Sequence, residues 1–204
     1  MIKIVAVSDI HEDRYLCNKL SKQTGDFLFV CGDLTNYGKK TSLDMVLKYI
    51  SKSDFKYKVI ILGNHEVENG YEYCKKNYPN IYFLDNEIIE LGGYKIYGTP
   101  YTRRFADLGY QYDDEECVEK TIPKSSVDII LTHEPPIHPN LSVLSDWFGR
   151  AIDIGNKELK NYIENTDKEM LVLCGHCHEH GGKNVIIGKS KCYNVATKIA
   201  HIDL

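Results

Sequence analysis

Short apolar runs recur along this 204-residue chain, and each run ends at or within two residues of a glycine, proline, aspartate, asparagine or histidine. They are rich in Val, Ile, Leu, Tyr and Phe, the composition typical of β-strands. The runs are continuous rather than alternating, which indicates strands that are covered on both faces. The predicted strands lie in residues 3–9, 26–33, 58–66, 80–86, 94–100, 127–135, 169–178 and 183–196.

Helical segments are predicted between several of these strands. Thr41 is placed at the N-cap of the second helix, with Asp44 three residues later. Asn156 is placed at the N-cap of the last helix. The acidic run DDEE is expected to begin a helix, because the helix dipole favours negative charge there. The predicted helices cover residues 13–24, 41–52, 68–77, 113–120 and 156–165.

The order of these elements predicts an α/β fold. Strands and helices alternate over the first 65 residues, which favours right-handed crossovers and parallel pairing. The later strands follow one another more closely, so part of the sheet structure is expected to be mixed or antiparallel. We expect two packed sheets flanked by helices. The length suits one well-filled domain over residues 1–204.

Composition narrows the classes of partner. Hydrophobic residues make up 43% and charged residues 26% of the chain, the balance of a soluble globular protein. A net charge of -4 gives no broad basic field, so long nucleic acid is not an expected partner. No apolar run approaches the roughly 20 residues that span a bilayer, so a membrane partner is not expected either.

Cysteine usage and the N-terminus predict a cytoplasmic protein. The first apolar run meets Asp9 too early for a signal peptide and has no small-residue cleavage site. The seven cysteines are odd in number and scattered, unlike a disulfide framework. We therefore expect reduced thiols.

Five of the predicted strands are followed by side chains of the kind that bind metals. In open α/β sheets, sites form beyond the carboxyl ends of the strands. One such residue would mean little, but five clusters in the same position relative to their strands point to a shared site. The set comprises Asp9, His11, Asp33, Asn64, His133, His176 and His178.

The chemistry of this set favours two ions. Two carboxylates, one amide oxygen and four imidazoles exceed what one tetrahedral ion needs. Asp33 is the most natural bridging ligand. Two ions about 3.5–4 Å apart can clamp the attacking and leaving oxygens of a phosphoryl transfer. Nitrogen and oxygen donors without a thiolate fit Mn, Fe, Zn, Ni or Co.

The stretch CGHCHEHGG at residues 174–182 raises the alternative of a zinc finger. If residues 176–178 are extended, His176 and His178 point the same way and Cys177 points to the opposite face. A finger built on Cys174 and Cys177 would need a second ligand pair, but no second C-x2-C follows. The pattern therefore favours a shared metal site.

Five ordered blocks carry a family resemblance. They are D-I-H at 9–11, G-D at 32–33, G-N-H-E at 63–66, the lone His133, and G-H-C-H at 175–178. With these blocks, the sequence resembles the calcineurin-like metallophosphoesterases over residues 9–178. The resemblance implies a four-layer αββα sandwich, two metal ions and a metal-dependent phosphoric ester hydrolase.

The resemblance also implies a role for each residue. Asp9, His11, Asp33 and His178 would hold the first ion, and Asp33, Asn64, His133 and His176 the second. His65 would face the phosphate instead of binding metal, and would stabilise transition-state charge or protonate the leaving group. Glu66 would orient either the backbone or His65.

One departure indicates the branch of the family. The stretch GDLTNYG lacks the second acidic residue and the Arg-Gly of phosphoprotein phosphatases. It resembles instead a small phosphodiesterase-like branch, as do residues 97–101, 131–136 and 154–164. This implies hydrolysis of a small phosphodiester, or of a monoester, by metal-activated hydroxide, with manganese among the expected metals. Glu134 replaces a small residue of some relatives, so its carboxylate is expected to narrow the pocket entrance.

Weaker candidates surround this set. His180 lies just past the G-H-C-H turn and is the best candidate to support a ligand. Arg103 is a candidate for a substrate phosphate contact, although a solvated loop also explains it. Aromatic residues are candidates for stacking, although ordinary packing also explains them. These are Tyr101, Tyr110, Tyr112, Trp147 and Phe148.

Other functions compete with the diesterase. A phosphoprotein or small-molecule phosphatase would use the same ligands on a monoester. A catalytically silent scaffold would be expected to have lost ligands, and this chain has lost none. A nuclease would be restricted to short substrates, given the net charge. The loops at 100–117 and 134–156 are expected to set the substrate, and the sequence predicts no oligomeric state.

Overall fold

The computed structural model describes residues 1–67, 69–145 and 148–204. Trp147 lies outside the described residues, and so does residue 68, at which the predicted third helix begins. Within these ranges, no helix is both long and apolar enough to cross a lipid bilayer.

The strands are short, and most follow the predicted apolar runs. In the first half of the described chain they are β1 (Lys3–Val7), β2 (Thr24–Cys31), β3 (Asp54–Ile61), β4 (Tyr82–Phe83), β5 (Glu87–Leu91), β6 (Tyr94–Thr99) and β7 (Thr102–Arg103). In the second half they are β8 (Gln111–Tyr112), β9 (Ile129–Thr132), β10 (Val143–Ser145), β11 (Ala151–Asp153), β12 (Leu171–Cys174), β13 (Asn184–Ile187), β14 (Ser190–Asn194) and β15 (Ala200–Asp203).

One predicted cap is wrong, and the acidic run predicted to begin a helix at 113 lies in a 3₁₀ helix (Asp114–Glu116) ahead of the α-helix. The described residues contain α-helices in all five predicted segments. They are α1 (Arg14–Leu20), α2 (Lys40–Lys52), α3 (Gly70–Asn77), α4 (Cys117–Thr121) and α5 (Lys157–Asn165). The Asn156 cap is confirmed, since its side chain accepts from the backbone N–H of Leu159 at 2.7 Å. The Thr41 cap is wrong: Lys39 is the N-cap and α2 begins at Lys40, so Thr41 already lies within the first turn.

The strands form two large mixed sheets. The first has the order β15-β1-β2-β3-β4, in which β1 to β4 are parallel and β15 is antiparallel. The second has the order β13-β14-β12-β9-β6-β5, with four parallel central strands and an antiparallel strand at each edge. Two small two-stranded sheets pair β7 with β8 and β10 with β11.

Side-chain alternation builds an apolar layer on each face of both sheets. Successive residues of a strand point to opposite faces, so Leu28 and Val30 of β2 pack toward helices α1 to α3. Phe27 and Phe29 of the same strand pack toward the second sheet. The far face of that sheet packs against α5, for example through Leu159. The predicted αββα sandwich is confirmed, and it explains the continuous apolar runs.

The predicted strands differ from the observed ones at their ends, and the run predicted at 183–196 contains two strands, β13 and β14. β3 ends at Ile61 rather than at residue 66, and β12 ends at Cys174 rather than at residue 178. The polar residues beyond these points form turns instead of pairing in the ladder. The short strands β7, β8, β10 and β11 escaped prediction because they lie in segments that were expected to be loops. The edge strands β5 and β15 also escaped prediction, because polar side chains interrupt their apolar pattern. Their sequences are EIIEL and AHID.

Candidate metal centre

The candidate residues converge because five parallel strands end at the same place. β1, β2 and β3 are neighbours in the first sheet, and β9 and β12 are neighbours in the second. The carboxylate of Asp33, after β2, lies 3.2 Å from Nε2 of His133, after β9. The carboxylate of Asp9, after β1, lies 3.0 Å from Nε2 of His178, after β12. The two sheets therefore share one site.

Three overlapping groups of side chains have donor atoms that all lie within 4.8 Å of one another. Asp33 and His11 each belong to two of these groups, and of the two only the Asp33 carboxylate has two oxygens with which to bridge a pair of ions. His65 also belongs to one, so distance alone does not exclude it as a ligand. The groups are Asp9 with His11 and His178, His11 with Asp33 and His65, and Asp33 with His133 and His176.

The backbone at four of these residues is left-handed. The φ angles are 55° at Asp9, 45° at His11, 49° at Asp33 and 66° at His176. Non-glycine residues rarely adopt this region, and clusters of them are typical of functional sites. The expected extended conformation of residues 176–178 is therefore wrong. Both histidines still line the cleft and Cys177 is buried, because a turn aims them there.

The zinc-finger alternative has no support in the described residues. Cys174 and Cys177 are buried and free of disulfides. None of the three candidate groups contains a cysteine. Burial raises the pKa of both thiols, which disfavours the thiolate that zinc binding needs.

A glycine precedes each of several candidate ligands because a second block approaches it closely. A Cβ on Gly63 would collide with the carboxylate of Asp33. A Cβ on Gly175 would collide with the side chains of Ser8 and Asp9. The G-N-H-E and G-H-C-H blocks therefore need glycine so that ligands from different strands can come together.

The donor set fits divalent cations. Nδ1 of His133 lies 2.8 Å from the carbonyl oxygen of Cys31, so it must carry a proton and donate. Nε2 then faces the Asp33 carboxylate with its lone pair, an arrangement that needs a positive charge between the two groups. A proton or a metal cation can supply that charge. Nitrogen and oxygen donors suit the borderline divalent metals.

Burial and charge perturb the titration of these groups. Burial lowers the pKa of His133, but the Asp33 carboxylate outweighs it and raises the pKa to about 10. Burial raises the pKa of Asp33, but His133 outweighs it and the pKa lies below its usual range. Burial and the charge of His133 lower the pKa of His176 to about 4. Such perturbed groups in a cleft are typical of functional sites.

His65 faces the candidate ligands from the cleft wall. Its Nδ1 donates to the carbonyl oxygen of Asn36 at 2.8 Å, which fixes the tautomer and leaves Nε2 pointing at the centre. Nε2 lies 3.9 Å from Oδ2 of Asp33. Asn36, which the sequence analysis did not single out, thus orients His65. Only its place in the GDLTN stretch could have indicated this role.

Glu66 joins two loops of the site by hydrogen bonds. One of its oxygens accepts from the backbone N–H of Thr35 at 2.8 Å and from the Thr35 hydroxyl at 2.9 Å. The other oxygen accepts from the backbone N–H of Gly63 at 2.8 Å. Burial and the charge of Asp33 raise the pKa of Glu66 to about 8. Of the two roles considered for Glu66, its contacts fit the orientation of backbone.

The weaker candidates lie at the margin of the centre. Nε2 of His180 donates to the carbonyl oxygen of Val143 at 2.6 Å, so its contacts fix the β10–β11 sheet rather than a candidate ligand. The guanidinium of Arg103 pairs with Asp114, with Nε 3.1 Å from Oδ1. Arg103 therefore forms its ion pair within the loop at 100–117, which fits the solvated-loop interpretation.

Glu134 is buried under the loops that were expected to set the substrate. Its carboxylate accepts from the Tyr112 hydroxyl at 2.5 Å and from the backbone N–H of Arg103 at 3.0 Å. Asn156 donates in turn to the Tyr112 oxygen at 3.2 Å. Burial raises the pKa of Glu134 to about 7, and these hydrogen bonds oppose the increase. Glu134 lines a cavity beside the centre.

The centre opens into a cleft of about 480 Å³ that continues into two further cavities. One, of about 320 Å³, shares Phe105 and His176 with the cleft. The other, of about 450 Å³, shares Asn36, Asn64 and His65 with it. Among the residues that the structure describes, the two cavities have no lining residue in common. A ligand at the centre could thus extend in two directions.

Comparisons with known proteins agree with this geometry. A family model described as calcineurin-like phosphoesterase matches residues 2–180. Human metallophosphoesterase domain-containing protein 1 is 27% identical over 88% of this chain and 61% of its own length. A protein of Emericella nidulans named "Probable rhamnogalacturonate lyase C" is 29% identical over 91% of this chain, but the match covers only 18% of that protein.

Solved structures show the same fold. A protein of Thermus thermophilus superposes with a TM-score of 0.68, at 17% identity, over 95% of this chain and 90% of its own. The chain spans about 61% of the length of the human relative, so that protein's full activity does not transfer with the match.

Proposed function

Because the chain belongs to the calcineurin-like phosphoesterase family, we propose that it is a metal-dependent hydrolase of phosphate esters that favours small diesters. One observation carries the proposal. Asp33 lies at the overlap of two groups of metal-type donors, directly below an open cleft. A site of that kind can hold cations and still admit a substrate anion.

We propose the two ligand sets that the family resemblance implies, and two of the donor groups support them: Asp9, His11 and His178 form one, and Asp33, His133 and His176 form the other. Asp9, His11, Asp33 and His178 would hold one ion, and Asp33, Asn64, His133 and His176 the other. Asn64 fits the second set because its Oδ1 lies 3.1 Å from Nε2 of His133. Two divalent ions at these positions would lower the pKa of a bound water and offset the charge of the phosphoryl oxygens. Mn, Fe, Zn, Ni and Co all suit such donors.

His65 acts on the substrate in this proposal. Its Nδ1 is held by Asn36 and its Nε2 points into the cleft, so the ring can donate a proton or a hydrogen bond to a bound ester. The side chain is about one third exposed, which leaves it accessible to a substrate. A leaving oxygen would therefore lie on the His65 side of the phosphorus.

The two separate cavities favour a diester over a monoester. A monoester carries one organic group and would fill one cavity, whereas a diester carries two. Each cavity meets the cleft at a different set of residues, His176 for one and His65 for the other. A scaffold function is disfavoured because every candidate ligand is present.

Initial rates on bis-(p-nitrophenyl) phosphate and on p-nitrophenyl phosphate, in Mn²⁺ and then with chelator, test the proposal. We expect chelator-sensitive hydrolysis with the diester preferred. A preference for the monoester would make the protein a phosphatase and overturn the diester assignment. Metal-loaded protein that hydrolyses neither ester, nor other small esters, would overturn the enzymatic function.

A further inference from the structure

We propose that the cavity of about 320 Å³ beside the centre binds one ester group of the substrate, and that this group is ring-sized, apolar and without negative charge. The inference rests on the proposed phosphoesterase function and specifies its substrate class. We call this cavity the apolar cavity, and we define it by Phe105, Leu144, Ile154 and Glu134 together with the arginines at its rim.

The apolar cavity is continuous with the reacting centre. His176, a proposed ligand, lines both the cleft and the cavity, and so does Phe105. The rings of these two residues are 5.7 Å apart, centroid to centroid. A group attached to a phosphate at the centre can therefore pass along His176 into the cavity. His65 lines the other cavity, so the leaving group belongs there and the retained group in the apolar cavity.

The surface that the apolar cavity presents is mostly hydrophobic, and two of its hydrophobic residues are anchored. Leu144 lies in β10, and Ile154 directly follows β11. His180 holds β10 through the Val143 carbonyl, and Ser142 donates to Asp153 at 2.6 Å. A preformed apolar slot of this size takes an aromatic or similar ring with little loss of conformational freedom.

Charge at the apolar cavity disfavours an anionic group. Two arginines line it, but Nε of Arg103 lies 3.1 Å from Asp114 and Nε of Arg104 lies 2.8 Å from Asp113. Asp153 and Glu134 also line it. Among the described lining residues, each arginine thus already has an acidic partner, and two further carboxyl groups are present. A second phosphate or a carboxylate in this cavity would be repelled by these carboxyl groups, and both arginines are already paired with other acids.

Diesters that share a p-nitrophenolate leaving group and differ in the retained group test this assignment. We expect kcat/KM for a phenyl group to exceed that for a methyl group by about tenfold or more, since each buried methylene contributes about 10-fold or more. A para-carboxyphenyl group should be slower than phenyl by a similar factor. The substitutions Leu144→Asn and Ile154→Asn should reduce the phenyl diester rate by about tenfold and leave the methyl diester within about twofold.

Ile152→Asn is the matched control. Ile152 pairs with Leu144 across the same two strands and is 46% exposed, but it does not line the cavity. It should leave both rates unchanged. Phe105→Ala is a second test variant, because a ring that is 62% exposed contributes little to folding. Equal losses on phenyl and methyl diesters in the cavity variants would overturn the assignment while leaving the phosphoesterase function intact.

A binding measurement tests the cavity without turnover. Phenylphosphonate and methylphosphonate are titrated into the Mn²⁺-loaded protein by calorimetry. We expect phenylphosphonate to bind about tenfold more tightly, and Leu144→Asn to remove most of this difference. Equal affinity of the two phosphonates in the unsubstituted protein would overturn the apolar-cavity assignment. This readout remains decisive if no ester is hydrolysed, so failure of the proposed function and failure of the inference are distinguishable.

Discussion

The backbone N–H of His176 donates to both carboxylate oxygens of Asp9, at 3.2 and 3.0 Å. This contact joins the first block of the site to the last, across the two sheets. It also fixes the orientation of Asp9, whose Oδ1 lies 3.0 Å from Nε2 of His178. The approach of the two loops leaves no room for a side chain at Gly175.

Gly175→Ala should therefore damage the site. The added Cβ would overlap Ser8 and Asp9, so one loop must shift. We expect a loss of about 1–3 kcal/mol in the free energy of unfolding, typical of overpacking, together with weakened Mn²⁺ binding. Gly70→Ala is the matched control: it starts a helix, and its Cβ would press on the end of the Leu62 side chain and touch the Tyr110 hydroxyl at an ordinary 3.7 Å, without meeting backbone. Equal unfolding free energies for the two variants would contradict the close approach.

Asp33→Asn should remove metal binding. Asp33 belongs to both proposed ligand sets and lies within reach of His11 and of His133, so the substitution affects both proposed ion positions. Saturating Mn²⁺ at about 100 times its dissociation constant stabilises a folded protein by about 2.7 kcal/mol. We expect Mn²⁺ to raise the unfolding temperature of the unsubstituted protein by several degrees and to leave that of Asp33→Asn unchanged. Asp167→Asn, at an exposed aspartate, is the control and should respond like the unsubstituted protein.

His65→Asn should separate catalysis from metal binding. The asparagine amide can keep the donation to the Asn36 carbonyl that Nδ1 makes now, but it lacks Nε2. Loss of a general acid reduces turnover by about 10²–10⁴-fold. We expect kcat to fall by that factor while the Mn²⁺ thermal shift remains. A parallel loss of the thermal shift would instead make His65 a ligand, a role that its distance to Asp33 permits.

Much of the fold could be predicted because the apolar runs, although short, are continuous and are separated by turn residues. Strand–helix alternation predicted the order of β1, α1, β2, α2 and β3 correctly, although β3 begins and ends several residues earlier than predicted. The edge strands β5 and β15 could not be found, because each presents an exposed face and polar residues break its apolar run. The Thr41 cap failed because the helix begins earlier, at a lysine without a capping bond.

The candidate site could be predicted in composition but not in detail. The spacing of residues beyond strand ends indicated which side chains converge, since parallel strands end at one edge. It could not indicate that Asn36 holds His65, because that contact depends on how a loop turns back. It also could not indicate the left-handed turn at His176, because an extended strand would aim the same two histidines together. The single-domain assignment stays a prediction.

Glu66→Gln should lower the free energy of unfolding, and not only the rate of turnover. Both carboxylate oxygens of Glu66 accept from a backbone N–H, one from Thr35 and one from Gly63. A glutamine amide must place its NH₂ against one of these donors, whichever way it is turned. Leaving a buried donor unsatisfied costs about 1–3 kcal/mol. We expect the midpoint of urea unfolding to fall accordingly in metal-free protein.

Two further variants make this last prediction specific. Glu158→Gln, at an exposed position in the first turn of α5, should leave the midpoint nearly unchanged. Thr35→Val removes only the hydroxyl donor to Glu66 and the acceptor of the Gly38 N–H, so it tests the same loop by a different route. If Glu66→Gln unfolds at the same urea concentration as the unsubstituted protein, the two loops are not held by Glu66. Glu66 would then have to act in the cleft itself, and not through the two loops.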